Sequence, residues 1–226
     1  MKIEELVNTL ENNRNPENAK AMKAYMKERF EFIGLKSPER KALTKTFLRT
    51  LKKLPFSYEI FESIWYQKER EYQYIALEYL KSKERTLELE DLSRLEKYIT
   101  DRSWWDTVDS FHSVIYAIGN STKSKTNSKE GYNSSKLMKS WSKSDNIWLR
   151  RLSIIHQLKA KEETDLELLT YTIKQNLNTE EFFLNKAIGW ALREYSKTNR
   201  DFVKSFIDEN RHLLSNLSIR EASKYL

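Results

Sequence analysis

Apolar residues recur along the chain at spacings of three and four, and period-two alternation is sustained nowhere. That pattern predicts helices throughout. Punctuation marks several of their ends. Asn15-Pro16-Glu17 reads as an N-cap followed by proline at the first helical position. The helix it opens runs through Ala21, Met22, Tyr25, Met26 and Phe30, and Gly34 is placed to stop it. Ser37-Pro38-Glu39 starts the next in the same way, and that one ends before Pro55. Further helices are predicted near 57–65, 67–82, 89–99, 103–119, 132–142, 144–160, 163–177, 179–197, 199–213 and 217–225. Ser121–Ser135, rich in Ser, Lys, Asn and Thr around Gly131, reads as a long loop.

About a dozen helices with short connections suggest an all-α chain, an α-solenoid of antiparallel helix pairs. No strict sequence period is present, so the repeat is irregular, and a globular bundle is the alternative. The solenoid is favoured because each helix is polar enough to need only one or two buried stripes. The expectation is a single domain over 1–226 with a concave basic face.

Composition narrows the chemistry. The 226 residues include no cysteine, which excludes disulfides, Cys-ligated zinc and iron–sulfur clusters. Four scattered glycines cannot form a phosphate-cradling loop. The three histidines, His112, His156 and His212, lie far apart, so neither a metal nor a cofactor is expected. A mean hydropathy of −0.75 is wet, yet 12% aromatic residues argue for a packed core. Lys and Arg number 40 against 33 Asp and Glu, a net charge of +7, which suits a polyanionic partner as well as a merely soluble surface. No secretory signal is evident at Met1-Lys2-Ile3, and no apolar run approaches a membrane span, so a cytoplasmic protein away from membranes is expected.

The most informative stretch is Thr100–Ser110. Ser103 and Asp106 fit a capping box, which gives Asp106 a structural explanation. Asp109 lies beyond the first turn, where capping does not explain it. Trp104, Val108, Phe111, Ile115 and Ile118 form one stripe at helical spacing, expected to be buried. Trp105, Asp109, His112 and Tyr116 form a second, about 100° round the helix, like the lining of a polar groove. A surface Asp beside a partly buried Trp accounts for the same spacing.

Two other segments stand out. In Ser144–Ile155, Ser144 or Asp145 is expected to cap, Trp148, Leu152 and Ile155 to pack, and Arg150 to face solvent. Arg151 falls at the edge of the apolar face, where a guanidinium wants an anion. An internal ion pair and a phosphate contact both satisfy it. In Glu181–Tyr195, Leu184, Ile188, Ala191, Leu192 and Tyr195 read as core, and Lys186 shares another face with Trp190. Gly189 costs about 1 kcal/mol in a helix, a cost consistent with close backbone approach. Core packing is the plain reading of Trp190.

These segments resemble the AlkD-type DNA alkylation-repair glycosylases, built from HEAT-like helical repeats. The resemblance is carried by Ser103–Asp109, Ser144–Arg151 and Asn185–Tyr195, and extends to Tyr25-Met26, Phe32–Arg40, Arg70-Glu71 and Ala76-Leu77. It implies that Asp109 is the catalytic carboxylate and that Trp105 and Trp190 contact the lesion-bearing nucleotide. It implies that Arg151 touches the DNA backbone near the lesion. Tyr25 and Lys36 match positions near the opposite strand, where the family usually has a small polar or amide residue instead of Lys36. The implied partner is double-stranded DNA carrying alkylated purines, approached by a monomer.

The implied chemistry has a physical basis. Alkylation at N3 or N7 makes a purine cationic, so the base leaves neutral and needs no acid. The remaining task is to stabilise charge growing on the sugar, which a carboxylate does electrostatically. Indole faces add roughly 0.5–2 kcal/mol each of cation–π attraction. The competing hypothesis is a non-catalytic helical-repeat DNA-binding protein. Asp109, Trp105, Trp190 and Arg151 together favour the enzyme. A protein-binding scaffold leaves the basic charge unused.

Overall fold

In the computed structural model, residues 3–125 and 134–226 are described, the side chains of 121–125 excepted. All regular structure among the described residues is helical. Two compact units divide the chain, residues 1–86 and 87–226.

The N-terminal unit holds α1 (Ile3–Glu11), α2 (Pro16–Tyr25), α3 (Ser37–Lys53), α4 (Tyr58–Trp65) and α5 (Arg70–Lys81). Helix α1 is an addition to the predicted set, although Ile3, Leu6, Val7 and Leu10 carry the helical spacing. Its Leu6 and Leu10 are buried. Helices α1 and α5 both pack on α3, and α4 packs on α5. Phe47, Phe61, Ile64, Tyr72 and Tyr79 lie in this core.

Asn15 caps α2 as predicted, its Oδ1 accepting from Asn18 N at 3.0 Å with Pro16 behind it. The helix ends much earlier than Gly34. Glu28 N donates to Lys23 O and Lys27 N to Ala24 O, the Schellman closure that terminates a helix. Lys27 and Glu28 supply the left-handed conformations that the sequence reading assigned to a glycine. Gly34 serves a different purpose. At φ +98° its missing side chain lets Asn15 O approach to 2.0 Å of the vacant Cβ position. In α3 the cap is Lys36, without a side-chain bond, and Ser37 is already helical.

The C-terminal unit contains α6 (Leu89–Thr100), α7 (Trp105–Val108), α8 (His112–Lys125), α9 (Ser134–Trp141), α10 (Ile147–Ile155), α11 (Leu166–Lys174), α12 (Phe182–Tyr195), α13 (Arg200–Glu209) and α14 (Asn216–Ala222). Short 3₁₀ turns occupy Asp109–Phe111, Lys161–Glu163 and Ser223–Tyr225. Contacts run mostly between near neighbours in sequence: α6 with α8 and α10, α10 with α9, α11 and α12, and α12 with α13 and α14. This is the nearest-neighbour packing of an α-solenoid. The predicted loop at Ser121–Ser135 is helical at 121–125 and again from Ser134, and the rest of it lies outside the described residues.

Candidate active site

Helix α6 ends at Thr100, and Arg102 takes φ 49° to turn the chain sharply. Ser103 is no N-cap: its Oγ donates to Ile99 O at 2.7 Å. Trp104 caps α7 in extended conformation through its carbonyl alone. The capping box of Ser103 and Asp106 is therefore absent, and Asp106 lacks that explanation.

The predicted helix 103–119 is also not continuous. Its α-helical turn at Trp105–Val108 tightens to 3₁₀ at Asp109–Phe111 before α8 begins. A 3₁₀ turn advances about 120° per residue rather than 100°. The buried stripe survives that change, with Val108, Phe111, Ile115 and Ile118 enclosed. Trp104 is half-buried, its ring 5.6 Å from Trp148 and 5.0 Å from Phe183. The second stripe splits. Trp105 and Asp109 face one cleft, whereas Tyr116 lines a separate small void beside Gly119 and Met138. His112 turns back, its Nδ1 donating to Asp109 O at 2.5 Å.

The cleft has a volume of about 380 Å³, within the usual range for a small-molecule site. It brings together four of the predicted residues, Trp105, Asp109, Arg151 and Trp190. They arrive from three elements: α7 with its 3₁₀ turn, α10 and α12.

Arg151 and Asp109 form a bidentate ion pair. Nε donates to Oδ1 at 2.6 Å and Nη2 to Oδ2 at 2.7 Å. Nη1 donates to Phe183 O at 2.5 Å, which ties the pair to the first turn of α12. The Arg151 side chain is 4% exposed and that of Asp109 17%. Of the two anions weighed for Arg151, the structure supplies the internal one. A guanidinium fork on a carboxylate fixes both groups in one plane and leaves each oxygen a second lone pair. The carboxylate is thus held rigidly at the cleft with acceptor capacity to spare.

Helix α10 is capped by Asn146, whose Oδ1 accepts from Trp148 N at 2.9 Å, rather than by Ser144 or Asp145. Trp148, Leu152 and Ile155 are buried as expected. Arg150 is not a solvent residue: its Nε donates to the Oδ1 of fully buried Asn176 at 2.7 Å.

Phe182, Phe183, Lys186 and Arg193 also line the cleft. Helical spacing in the sequence puts Lys186 on the face of Trp190 but does not single out the other three. The signal was available in part. Phe182 and Phe183 are adjacent, so a helix cannot bury both on one face, and Phe182 is 58% exposed. Phe183 packs against Trp104 and Trp148, forming an aromatic wall behind the ion pair. Leu184, Ile188, Ala191 and Leu192 are core as predicted, while Tyr195 is half-buried edge-on to Phe202. Gly189 does permit close approach, and α14 lies against it.

Tyr25 and Lys36 belong to the N-terminal unit, both exposed, near the two ends of the segment 26–36. That segment is organised by Glu71. The fully buried carboxylate accepts from Gly34 N at 2.8 Å and from Ile33 N and Leu35 N at 3.1 Å each. Beside it the fully buried Arg70 guanidinium stacks 3.8 Å above the Phe30 ring.

An all-α solenoid packing with an aromatic-lined, ion-paired carboxylate cleft narrows the protein class. The chain matches the DNA alkylation repair enzyme family over residues 6–226, and it belongs to that family. It is similar to a solved structure described as a predicted DNA alkylation repair enzyme from Enterococcus faecalis. The two share 35% identity with a TM-score of 0.84, over 94% of this chain and 96% of that one. No curated protein matches it. Among the described residues no helix is long and apolar enough to cross a membrane.

Proposed function

We propose that the chain is a monofunctional DNA glycosylase that hydrolyses the N-glycosidic bond of cationic N3- and N7-alkylated purines in duplex DNA. In this reading residues 1–226 act together as one domain and one monomer on cytoplasmic DNA. The observation that carries the proposal is the Asp109 carboxylate, clamped by Arg151 in a cleft that Trp105 and Trp190 also line.

The scissile bond joins a purine that already carries positive charge to C1′ of deoxyribose. As it lengthens, the bonding pair leaves with the purine, which becomes neutral, and positive charge passes to the sugar. Asp109 opposes that charge from a fixed position, so no reorganisation is needed at the moment of bond breaking. Its spare lone pairs can hold a water for attack on C1′, the water proton passing to the carboxylate. Trp105 and Trp190 offer indole faces to the cationic nucleotide. Arg151 has five N–H donors and uses three in the bonds above, so it can hold Asp109 and still offer a donor to a strand phosphate. Tyr25 and Lys36 are assigned to the opposite strand.

The test is base release from duplexes carrying one lesion each. N7-methylguanine and N3-methyladenine are expected to be released, and uracil and hypoxanthine to be retained, because only the first two leave without protonation. Release of the neutral bases, or retention of the cationic ones, would refute the mechanism.

A further inference from the structure

Helix α12 carries Lys186, Gly189 and Arg193 at spacings of three and four, on one side of the helix. That side meets α14 and, among the described residues, a single carboxylate. Glu221, 4% exposed, accepts from Lys186 Nζ at 2.9 Å, from Arg193 Nη1 at 2.7 Å and from Lys224 Nζ at 3.0 Å. Gly189 makes this geometry possible. A Cβ there would lie 2.6 Å from Glu221 Cβ and 3.0 Å from Ser218 O, so any other residue would push α14 and its carboxylate away.

One negative charge does not balance three cations. Lys186 and Lys224 hold the Glu221 carboxyl down to about 2, so it is ionised at any working pH and the cluster keeps two positive charges. Lys186 and Arg193 also line the cleft with Trp190, and their side chains are 40% and 23% exposed. A long lysine left to itself samples many rotamers and loses that freedom on binding an anion. Here the loss has been taken in folding.

We propose that Glu221 is a positioning residue of the cleft, holding Lys186 and Arg193 as a preformed cradle for a backbone phosphate of the bound strand beside Trp190. The inference rests on duplex DNA being the partner. It assigns α14 a part in the candidate cleft.

The experiment measures binding of a fluorescein-labelled, unmodified oligonucleotide duplex to the full chain. Glu221→Gln keeps the shape and raises the net charge by one. Charge alone would tighten binding, whereas loss of positioning weakens it, so the two readings have opposite signs. The expected result is about tenfold weaker binding, equivalent to losing one charge-assisted hydrogen bond, with helical circular dichroism intact. In a Lys186→Gln/Arg193→Gln background the same substitution is expected to have no further effect, because nothing remains to be positioned. Equal or tighter binding by Glu221→Gln overturns the proposal, as does a further tenfold loss in the double background, the mark of a purely structural role. If Glu221→Gln does not fold, Glu221→Asp keeps the charge but withdraws it by one methylene, and is expected to bind several-fold more weakly. Unchanged binding by that variant also overturns the proposal. A wild-type chain that does not bind the duplex refutes the DNA reading itself, an outcome distinct from failure of Glu221 alone.

Discussion

Asp109→Asn perturbs two things at once, and the structure allows them to be separated. The substitution removes the charge proposed to face the sugar, and it also breaks the bidentate pair with Arg151. An asparagine can offer one carbonyl oxygen to the guanidinium fork, but its NH₂ group must then face the second donor. Arg151, 4% exposed, keeps its charge and loses its counterion. Breaking a buried pair on one side costs roughly 3–5 kcal/mol, and because Asp109 retains 17% exposure the lower end, about 3 kcal/mol, is expected. For a domain stable by about 5–15 kcal/mol this is a large share, though the chain still folds at moderate temperature. The catalytic loss is expected to be on the order of 10²–10³ in rate. Urea denaturation gives the first quantity, and single-turnover release of N7-methylguanine from duplex DNA below the unfolding transition gives the second. The double variant Asp109→Asn/Arg151→Met, read against Arg151→Met alone to account for the lost phosphate donor, decides between them. Removing the orphaned guanidinium is expected to return at least about 1 kcal/mol of stability while activity stays lost. Wild-type stability in Asp109→Asn would refute the ion-pair argument. Activity that recovers in parallel with stability in the double variant would show that Asp109 is structural only.

Two further outcomes follow from the packing of α12 on α14. Gly189→Ala gains about 1 kcal/mol of helix propensity, but the new Cβ meets Glu221 Cβ at 2.6 Å and a backbone carbonyl at 3.0 Å. Overpacking of this kind costs typically 1–3 kcal/mol, so a net loss of about 1 kcal/mol is expected by urea denaturation, and a stabilised variant would contradict it. Glu221 is lowered from 4.5 to about 2 by Lys186 and Lys224, so its contribution is complete above pH 4.5 and fades as pH falls toward 2. Melting temperatures across that window are expected to fall less steeply in Glu221→Gln than in the wild type, and parallel curves would argue against the shift.

Helix positions were largely legible in the sequence because they rest on local physics. The N-cap at Asn15 and the buried faces of α10 and α12 follow from spacing and side-chain chemistry within a few residues. So did the close approach at Gly189, since an interior glycine is unfavourable unless something comes near it. What local rules could not give was which of several equivalent endings the chain uses. Lys27 and Glu28 close α2 in left-handed conformations where Gly34 was the better local candidate. Asn146 caps α10 in place of its two polar neighbours.

The candidate site divides along the same line. Asp109 stands out in the sequence because capping does not explain it, and Trp105 because it lies one turn before it. Both features follow from spacing within a few residues of one segment. The 3₁₀ tightening at Asp109–Phe111, which separates Trp105 and Asp109 from Tyr116, cannot be read from an apolar period that it leaves intact. Arg151 could be recognised as needing an anion, but the sequence offered two. Only tertiary structure places Asp109, 42 residues earlier, within 2.6 Å of it. The same holds for Glu221, which looks like any exposed helical glutamate until α14 is laid against Gly189. Periodicity determines which face of a helix is apolar, because that depends on neighbours three and four residues away. Which charges meet across that face depends on how the helices are brought together, and that information resides in the packed whole.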